Sequence, residues 1–336
     1  MKTKILINGY GRIGRLLHRI ILENDNCGFE VGAINSRADP KSHAYLLKYD
    51  SVYGTLPYEI KSGKDSISIN GTKTKVYVNK KPGEINLNEL GIDVVVECTG
   101  KFKDKESCKK QLEAGAKKVV ISAPGKGEDI SIVMGINNDL YDPDRHSIIS
   151  NASCTTNCLA PVIKVLDKHF GVEYGQMTTI HAVTRTQTMV DASNSRVRRG
   201  RSAINSMIPT STGASEAIGK IFTHLDGKIK GISVRVPFAT VSLVDLVVSL
   251  EKGVKPEDLN KAFEKESKGD LRGILGISNE PLVSVDYVGE SRSAVVDGLS
   301  TSVANSNFAK ILAWYDNEWG YTTRLFDLVT MISSQL

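Results

Sequence analysis

The segment Ser150-Asn151-Ala152-Ser153-Cys154-Thr155-Thr156-Asn157-Cys158 carries the clearest chemistry in the chain. A short apolar run at 147–150 predicts a strand. Leu159, Val162, Ile163, Val165 and Leu166 then recur at helical spacing. Cys154 therefore falls at a helix start, where the positive end of the dipole favours thiolate and lowers the thiol pKa. Backbone N–H groups of the same turn can hold an oxyanion. Cys158, one turn further on, reads as a small buried residue. No second pair of soft ligands accompanies the two cysteines, so no metal is expected.

A nucleophilic thiol needs a base. Of six histidines, His18 and His169 fall in predicted helices and read as surface or edge positions. His181 ends the β-rich run 177–183 and leads into a polar loop, a place from which an imidazole can reach the thiol. Taken by itself it reads more readily as a structural histidine than as a base. Cations and hydroxyls follow. Arg196-Val197-Arg198-Arg199-Gly200-Arg201 is either a solvated face or an anion site. Thr210-Ser211-Thr212-Gly213-Ala214 is a hydroxyl-rich turn before a helical segment. Arg235 sits within the apolar run 232–236. A buried arginine is costly without an anion, and arginines with hydroxyls suit phosphate oxygens.

A second constellation lies at the N-terminus. Gly9-Tyr10-Gly11-Arg12-Ile13-Gly14 is G-x-G-x-x-G between an apolar run at 5–8 and an amphipathic segment with Ile13, Leu16, Leu17, Ile20 and Ile21 on one face. In that context Gly9 permits the tight turn, Gly11 the approach of a pyrophosphate, and Gly14 close helix–strand packing. The helix N-terminus supplies N–H donors and positive dipole to the phosphates. An acid about 20 residues on would hold a ribose 2′-hydroxyl. Here the second strand ends Asn35-Ser36-Arg37, so a hydroxyl and a cation replace it; Asp39 lies beyond the strand end.

The elements that must position these groups divide the chain. Its 336 residues suit two domains at ~100–200 residues each. Short apolar runs at 5–8, 29–35, 94–96, 119–121, 132–134 and 148–149 predict a parallel sheet in a first, α/β domain. A hairpin is expected at 66–78 around Asn70-Gly71. Beyond about residue 150 the runs at 177–183, 232–238, 241–250 and 282–287 are longer and fewer helices intervene. They predict an α+β domain with a mostly antiparallel or mixed sheet. Residues 323–336 read as a closing helix. With 40% apolar and 24% charged residues and a net charge of +5, the chain reads as a globular protein suited to small anions. That charge is too small to imply nucleic acid. Five cysteines without a C-x-x-C pair suggest a reducing compartment, and no run reaches the length of a membrane span. The expected home is the cytoplasm.

Taken together, the motifs resemble phosphorylating glyceraldehyde-3-phosphate dehydrogenases, type I. The resemblance is carried by residues 7–14 and 150–158, by Thr-Thr-Ile-His-Ala at 178–182, by Pro-Thr-Ser-Thr-Gly-Ala at 209–214 and by Trp-Tyr-Asp-Asn-Glu-Trp-Gly-Tyr at 314–321. It implies a Rossmann-like dinucleotide-binding domain at 1–153, a catalytic domain at 154–317, and a C-terminal helix, 318–336, packing back on the first. It implies oxidation of D-glyceraldehyde 3-phosphate to 1,3-bisphosphoglycerate through a Cys154 thioester, in glycolysis or gluconeogenesis, with His181 as base. Thr184 and Arg235 would hold the substrate phosphate. Ser153, Thr155, Thr212, Gly213 and Arg198 would hold the attacking inorganic phosphate. Arg12, Ile13, Ser122 and Asn317 would contact the cofactor, with Lys80 near the adenine end. A homotetramer is implied, with segment 183–205 near a subunit interface.

Two positions depart from the NAD-using pattern. Ser36 replaces the usual Asp, and Ser193 replaces a Pro found in many NAD members. Both resemble NADP-using relatives, so NAD or NADP is expected, with NADP accepted. Arg185 has no assigned role. The rival enzyme is an erythrose-4-phosphate dehydrogenase. The rival of another class is a protein that binds nucleic acid or another macromolecule through its basic loop, which the retained nucleophile, base and glycine loop disfavour.

Overall fold

The computed structural model describes residues 2–24 and 27–336, and they form two units, residues 1–153 with 322–336, and residues 154–321. In the first unit, Thr3–Asn8 leads through the glycine turn into the helix Arg12–Glu23, and the chain returns as Phe29–Ser36, parallel to the first strand. Val94–Glu97, Lys118–Ile121, Ile148–Ser150 and Ile130–Ser131 extend the parallel sheet on one side. Thr72–Val78 extends it on the other, and the hairpin through Asn70 and Gly71 adds antiparallel strands. Both hairpin residues have positive φ, 47° and 89°, as a tight two-residue turn requires. Ile5, Ile7, Val94 and Val96 are fully buried, as continuous apolar runs in a sheet covered on both faces should be. Leu325, Leu328, Val329 and Ile332 of the final helix, Trp319–Ser333, belong to the same core.

The second unit is built on a mixed sheet in the order Ile208–Ser211, Ile229–Arg235, Val172–His181, Ser242–Leu250, Phe308–Tyr315, Ala294–Asp297, Leu275–Ser278. Most neighbours run antiparallel, but Val172–His181 and Ile229–Arg235 are parallel and end in register, His181 beside Arg235. The helix Cys154–Phe170 lies against this sheet and buries Leu159, Val162, Ile163 and Leu166. The α/β plus mixed α+β architecture is thus the one the runs of apolar residues predicted.

Three expectations need correction. The strand expected at 132–134 lies at Ile130–Ser131. Ile132 and Val133 are buried in a turn instead, where Asn137 Oδ1 accepts from the Val133 N–H at 2.8 Å. The run 282–287 forms no strand but a 3-10 turn, Ser284–Tyr287, because the Asp286 carboxylate accepts from the Val283 N–H and closes the chain on itself. His18, expected at the surface, is buried, with Nδ1 2.6 Å from the Tyr10 hydroxyl.

Candidate active site

Cys154 opens its helix, and Ala152, two residues earlier, holds φ at 52°, a left-handed turn that costs a side-chain-bearing residue energy. The Cys154 thiol lies 3.4 Å from His181 Nε2. His181 is the last residue of its strand, and its Nδ1 lies 2.7 Å from the Ala182 carbonyl and 2.6 Å from Arg235 Nη1. Arg235, last in the neighbouring strand, is half-buried rather than enclosed. The net effect on the thiol differs from the expectation drawn from the helix start. Burial raises its pKa, opposed by the Arg235 cation and the N–H groups of the first turn. Burial also lowers His181 to about 3, and Arg235 adds to the lowering. Burial thus pushes both groups toward their uncharged forms, against the pull of Arg235 and the first-turn N–H groups on the thiol. Cys158 is fully buried, its thiol raised by burial.

The hydroxyls and cations collect around this pair unevenly. Thr184 Oγ1 is 2.9 Å from Thr186 Oγ1, which accepts from Arg199 Nη1 at 3.1 Å. Arg199 also donates through Nε to Thr210 Oγ1 at 2.9 Å, and burial lowers its pKa to about 10. Arg198, the cation expected in the site, is exposed, while Arg199 is buried. On the turn Val197–Gly200, adjacent side chains leave in different directions. Of the two, Arg199 is the one whose side chain reaches Thr186 and Thr210. Thr212 Oγ1 accepts from the Ala214 N–H at 3.3 Å, and Gly213 is the N-cap of the helix Ala214–Ile221. Thr155 Oγ1 pairs with the Tyr315 hydroxyl at 3.0 Å. Tyr315 was missed by sequence reasoning; its place inside the 314–321 motif was the available signal. Ser193 is exposed, and Asn317 is buried with its Oδ1 accepting from Ser242 Oγ at 2.8 Å. Ser153 directly precedes the nucleophile and is half-buried.

In the first unit the glycine loop fits a pyrophosphate. A Cβ on Gly9 would come within 2.5 Å of the Thr99 nitrogen, and one on Gly14 within 2.2 Å of the Gly9 carbonyl oxygen. A Cβ on Gly11 would meet nothing within 4 Å, so open space faces the helix start there. No side chain caps that helix and its first turn holds no acid, which leaves it suited to an anion. Arg12 pairs with Asp50 at 2.5 Å, and Ile13 packs on the core. Ser36 ends its strand half-buried, its carbonyl accepting from the Asn79 N–H at 2.7 Å. Asn35 fixes Lys80 by accepting from its N–H and donating to its carbonyl. Arg37 and Lys80 are exposed. Asp39 caps the helix Pro40–Lys48 by accepting from the Ser42 N–H at 2.7 Å, which holds its carboxyl below the usual range. It does not stand in for the missing acid. Ser122 donates its N–H to the Glu97 carbonyl at 3.0 Å. Among the described residues, no cluster of His, Cys, Asp and Glu is placed to hold a metal, and no helix is long and apolar enough to cross a membrane.

Residues 3–105 match the family described as Glyceraldehyde 3-phosphate dehydrogenase, NAD binding domain, and residues 153–317 match its C-terminal domain. The chain is 50% identical over 333 residues to Glyceraldehyde-3-phosphate dehydrogenase 1 of Bacillus cereus, covering 99% of each chain. It is 48% identical over 336 residues to Glyceraldehyde-3-phosphate dehydrogenase 2 of Bacillus subtilis, covering all of this chain and 98% of that one. Against Glyceraldehyde-3-phosphate dehydrogenase 2 of Streptomyces avermitilis the identity is 46% over the full length of both.

Proposed function

Because the chain belongs to the glyceraldehyde-3-phosphate dehydrogenase family, we propose that Cys154 and His181 carry the family's chemistry here. The enzyme is an NAD(P)-binding, phosphorylating dehydrogenase of glycolysis acting on glyceraldehyde 3-phosphate. The observation that carries the residue assignment is the Cys154 Sγ–His181 Nε2 approach of 3.4 Å at a helix start.

In this reading the thiol proton passes to His181, the Cys154 sulfur adds to the aldehyde carbon, and His181 returns that proton to the new alkoxide, giving a thiohemiacetal. N–H groups of the first helical turn receive the oxyanion. The nicotinamide, when bound, supplies the acceptor for the hydride leaving that carbon. His181 takes the hydroxyl proton, and the product on Cys154 is a thioester. Inorganic phosphate then attacks the thioester carbonyl, the C–S bond breaks, the acyl phosphate leaves, and the proton held on His181 returns to the Cys154 sulfur. Arg235 and Thr184 hold the substrate phosphate. Arg199, with Ser153, Thr155, Thr212 and Gly213, serves the attacking phosphate; Arg199 replaces Arg198 in that role because it is the buried cation of the run.

The cofactor end supports acceptance of NADP. An acid at the strand end would bind the 2′-hydroxyl and repel a 2′-phosphate. Ser36 removes that repulsion, Asp39 is engaged as a cap, and Arg37 and Lys80 supply nearby positive charge. The exposed apolar side chains Met189, Val190, Val197 and Met207 in the loop after His181 support burial against a second copy, as in a homotetramer. A cytoplasmic setting suits the five unpaired cysteines.

The test is a phosphate-dependent absorbance assay of cofactor reduction with glyceraldehyde 3-phosphate and erythrose 4-phosphate, paired with mass spectrometry of the acylated enzyme. Preferred turnover of the triose phosphate, with the acyl group on Cys154, is expected. Preference for the tetrose phosphate, or acylation of Cys158, overturns the assignment.

A further inference from the structure

Residues 240–242 are tied to residues 316–317 by two side-chain hydrogen bonds. Thr240 Oγ1 donates to Asp316 Oδ1 at 3.0 Å, and Ser242 Oγ donates to Asn317 Oδ1 at 2.8 Å. Between the two donors Val241 is buried and holds φ at 67°. A β-branched residue is an outlier in that left-handed region, and such strain persists only where the surroundings impose it. The strand that starts at Ser242 pairs it with Tyr315, two residues before Asn317, and Ser242 is itself buried.

The Ser242 hydroxyl also accepts from the Ala182 N–H at 3.1 Å, and Ala182 directly follows His181. A backbone N–H can only donate. The hydroxyl therefore takes that bond on a lone pair and sends its own proton to Asn317 Oδ1. The chain from Ala182 N–H through Ser242 O–H to Asn317 runs one way. It occupies the acceptor end of the Asn317 amide and leaves the Nδ2 end, which carries two donors, for another partner. An amide turned over would set its N–H groups against the hydroxyl, whose proton would then lose its acceptor on Asn317.

We propose that Ser242 is a positioning residue for the cofactor: by holding Asn317 Oδ1 it fixes the amide so that Nδ2 donates to the carboxamide oxygen of the nicotinamide. This rests on the reading that Asn317 contacts the nicotinamide. Ser242 acts through Asn317 and not on the cofactor itself. Asp316, which accepts from Thr240 and from the Gly289 N–H at 2.9 Å, steadies the backbone just before the anchor. Because the same hydroxyl holds the backbone after His181, one buried group sets the anchor of the nicotinamide and the strand end that bears the base.

The experiment measures the affinity of the full-length protein for NAD and for ADP-ribose by calorimetry. ADP-ribose keeps the adenosine and the pyrophosphate but lacks the nicotinamide, so the ratio of the two affinities isolates the nicotinamide's share. Ser242→Ala should lower that ratio about fivefold, the worth of one neutral hydrogen bond, and leave the affinity for ADP-ribose as in wild type. Ser242→Cys, close in size and a weak donor, should lower the ratio in the same direction, and serves if Ser242→Ala does not fold. Asn317→Ala should lower the ratio at least as far, and adding Ser242→Ala to it should lower the ratio no further, since coupled residues are not additive. A wild-type ratio in Ser242→Ala beside a lowered one in Asn317→Ala overturns the positioning role and leaves the Asn317 contact standing. Equal losses for NAD and ADP-ribose in Ser242→Ala overturn it too, making Ser242 a structural residue. An unlowered ratio in Asn317→Ala overturns both the proposal and the contact it rests on.

Discussion

Tyr315 lies edge-on to His181, with ring centroids 6.1 Å apart and planes at 82°. Its hydroxyl sits between Thr155 Oγ1 and Thr179 Oγ1, at 3.0 and 2.8 Å. It thus ties the first turn of the Cys154 helix to the strand that ends in His181. Tyr315→Phe leaves two buried hydroxyls short of a partner. It is expected to cost about 1–3 kcal/mol of stability and to slow acylation more than it raises the substrate KM. Denaturant titration and burst kinetics on the same preparation check both effects.

The two neighbouring arginines should behave oppositely. Arg199 is buried and donates to Thr210, Thr186 and the Ser211 carbonyl, whereas Arg198 is exposed. Arg199→Ala should raise the KM for inorganic phosphate about tenfold or more, the worth of a lost charge-assisted contact. Arg198→Ala should leave it nearly unchanged. Phosphate saturation curves decide, and the reverse order would return the role to Arg198.

Glycines of the loop should separate folding from binding. Gly14→Ala forces a Cβ against the Gly9 carbonyl oxygen and should lower the melting temperature sharply. Gly11→Ala projects into open space. It should fold normally and bind the cofactor more weakly, as calorimetry of each variant with NAD would show. Normal affinity in Gly11→Ala would mean the pyrophosphate lies elsewhere.

At the strand end, Ser36→Asp should shift the ratio of kcat/KM values toward NAD by about tenfold or more, since it adds an acceptor for the 2′-hydroxyl and a charge against a 2′-phosphate. Wild type should use NADP measurably. The comparison belongs at fixed ionic strength, and an unmoved ratio would remove Ser36 from cofactor choice.

Acid should loosen the first unit through His18. Burial lowers its pKa to about 4. The unfolded chain, with an ordinary histidine, therefore binds more protons between about pH 6.5 and 4. Stability contributed by the neutral ring is present above that window and is lost as pH falls through it, to roughly 3 kcal/mol at the acid end. Melting temperatures across pH 7 to 4.5 should fall less steeply in His18→Asn than in wild type.

What could be read from the sequence was local. A glycine loop between a strand and a helix, and a cysteine between a strand and a helix, each declare their geometry within about ten residues. Residues brought together by strand register do not. His181 and Arg235 are 54 positions apart, and Thr155 and Tyr315 are 160 apart. No spacing rule connects such pairs. The direction of each side chain in a 3-10 turn was equally hidden, so the sequence did not show that Arg199 is buried and Arg198 exposed. At 282–287 the alternation of Leu282, Val283, Val285 and Tyr287 suits a strand. It is overridden by the Asp286 cap and by Tyr287 stacking on Trp314 at 5.5 Å.

The final helix sets an order of events during synthesis. Leu325, Leu328, Val329 and Ile332 complete a core whose other members begin at Ile5. Domains emerging from a ribosome generally fold N-terminal first, but here the N-terminal unit lacks part of its interior until residues 325–332 are made. The unit of residues 154–321 is a continuous insertion and can finish earlier. The nascent chain therefore carries an unfinished nucleotide-binding half while residues 154–321 are made. A premature stop in the last helix would damage that half while leaving the half that bears Cys154 whole.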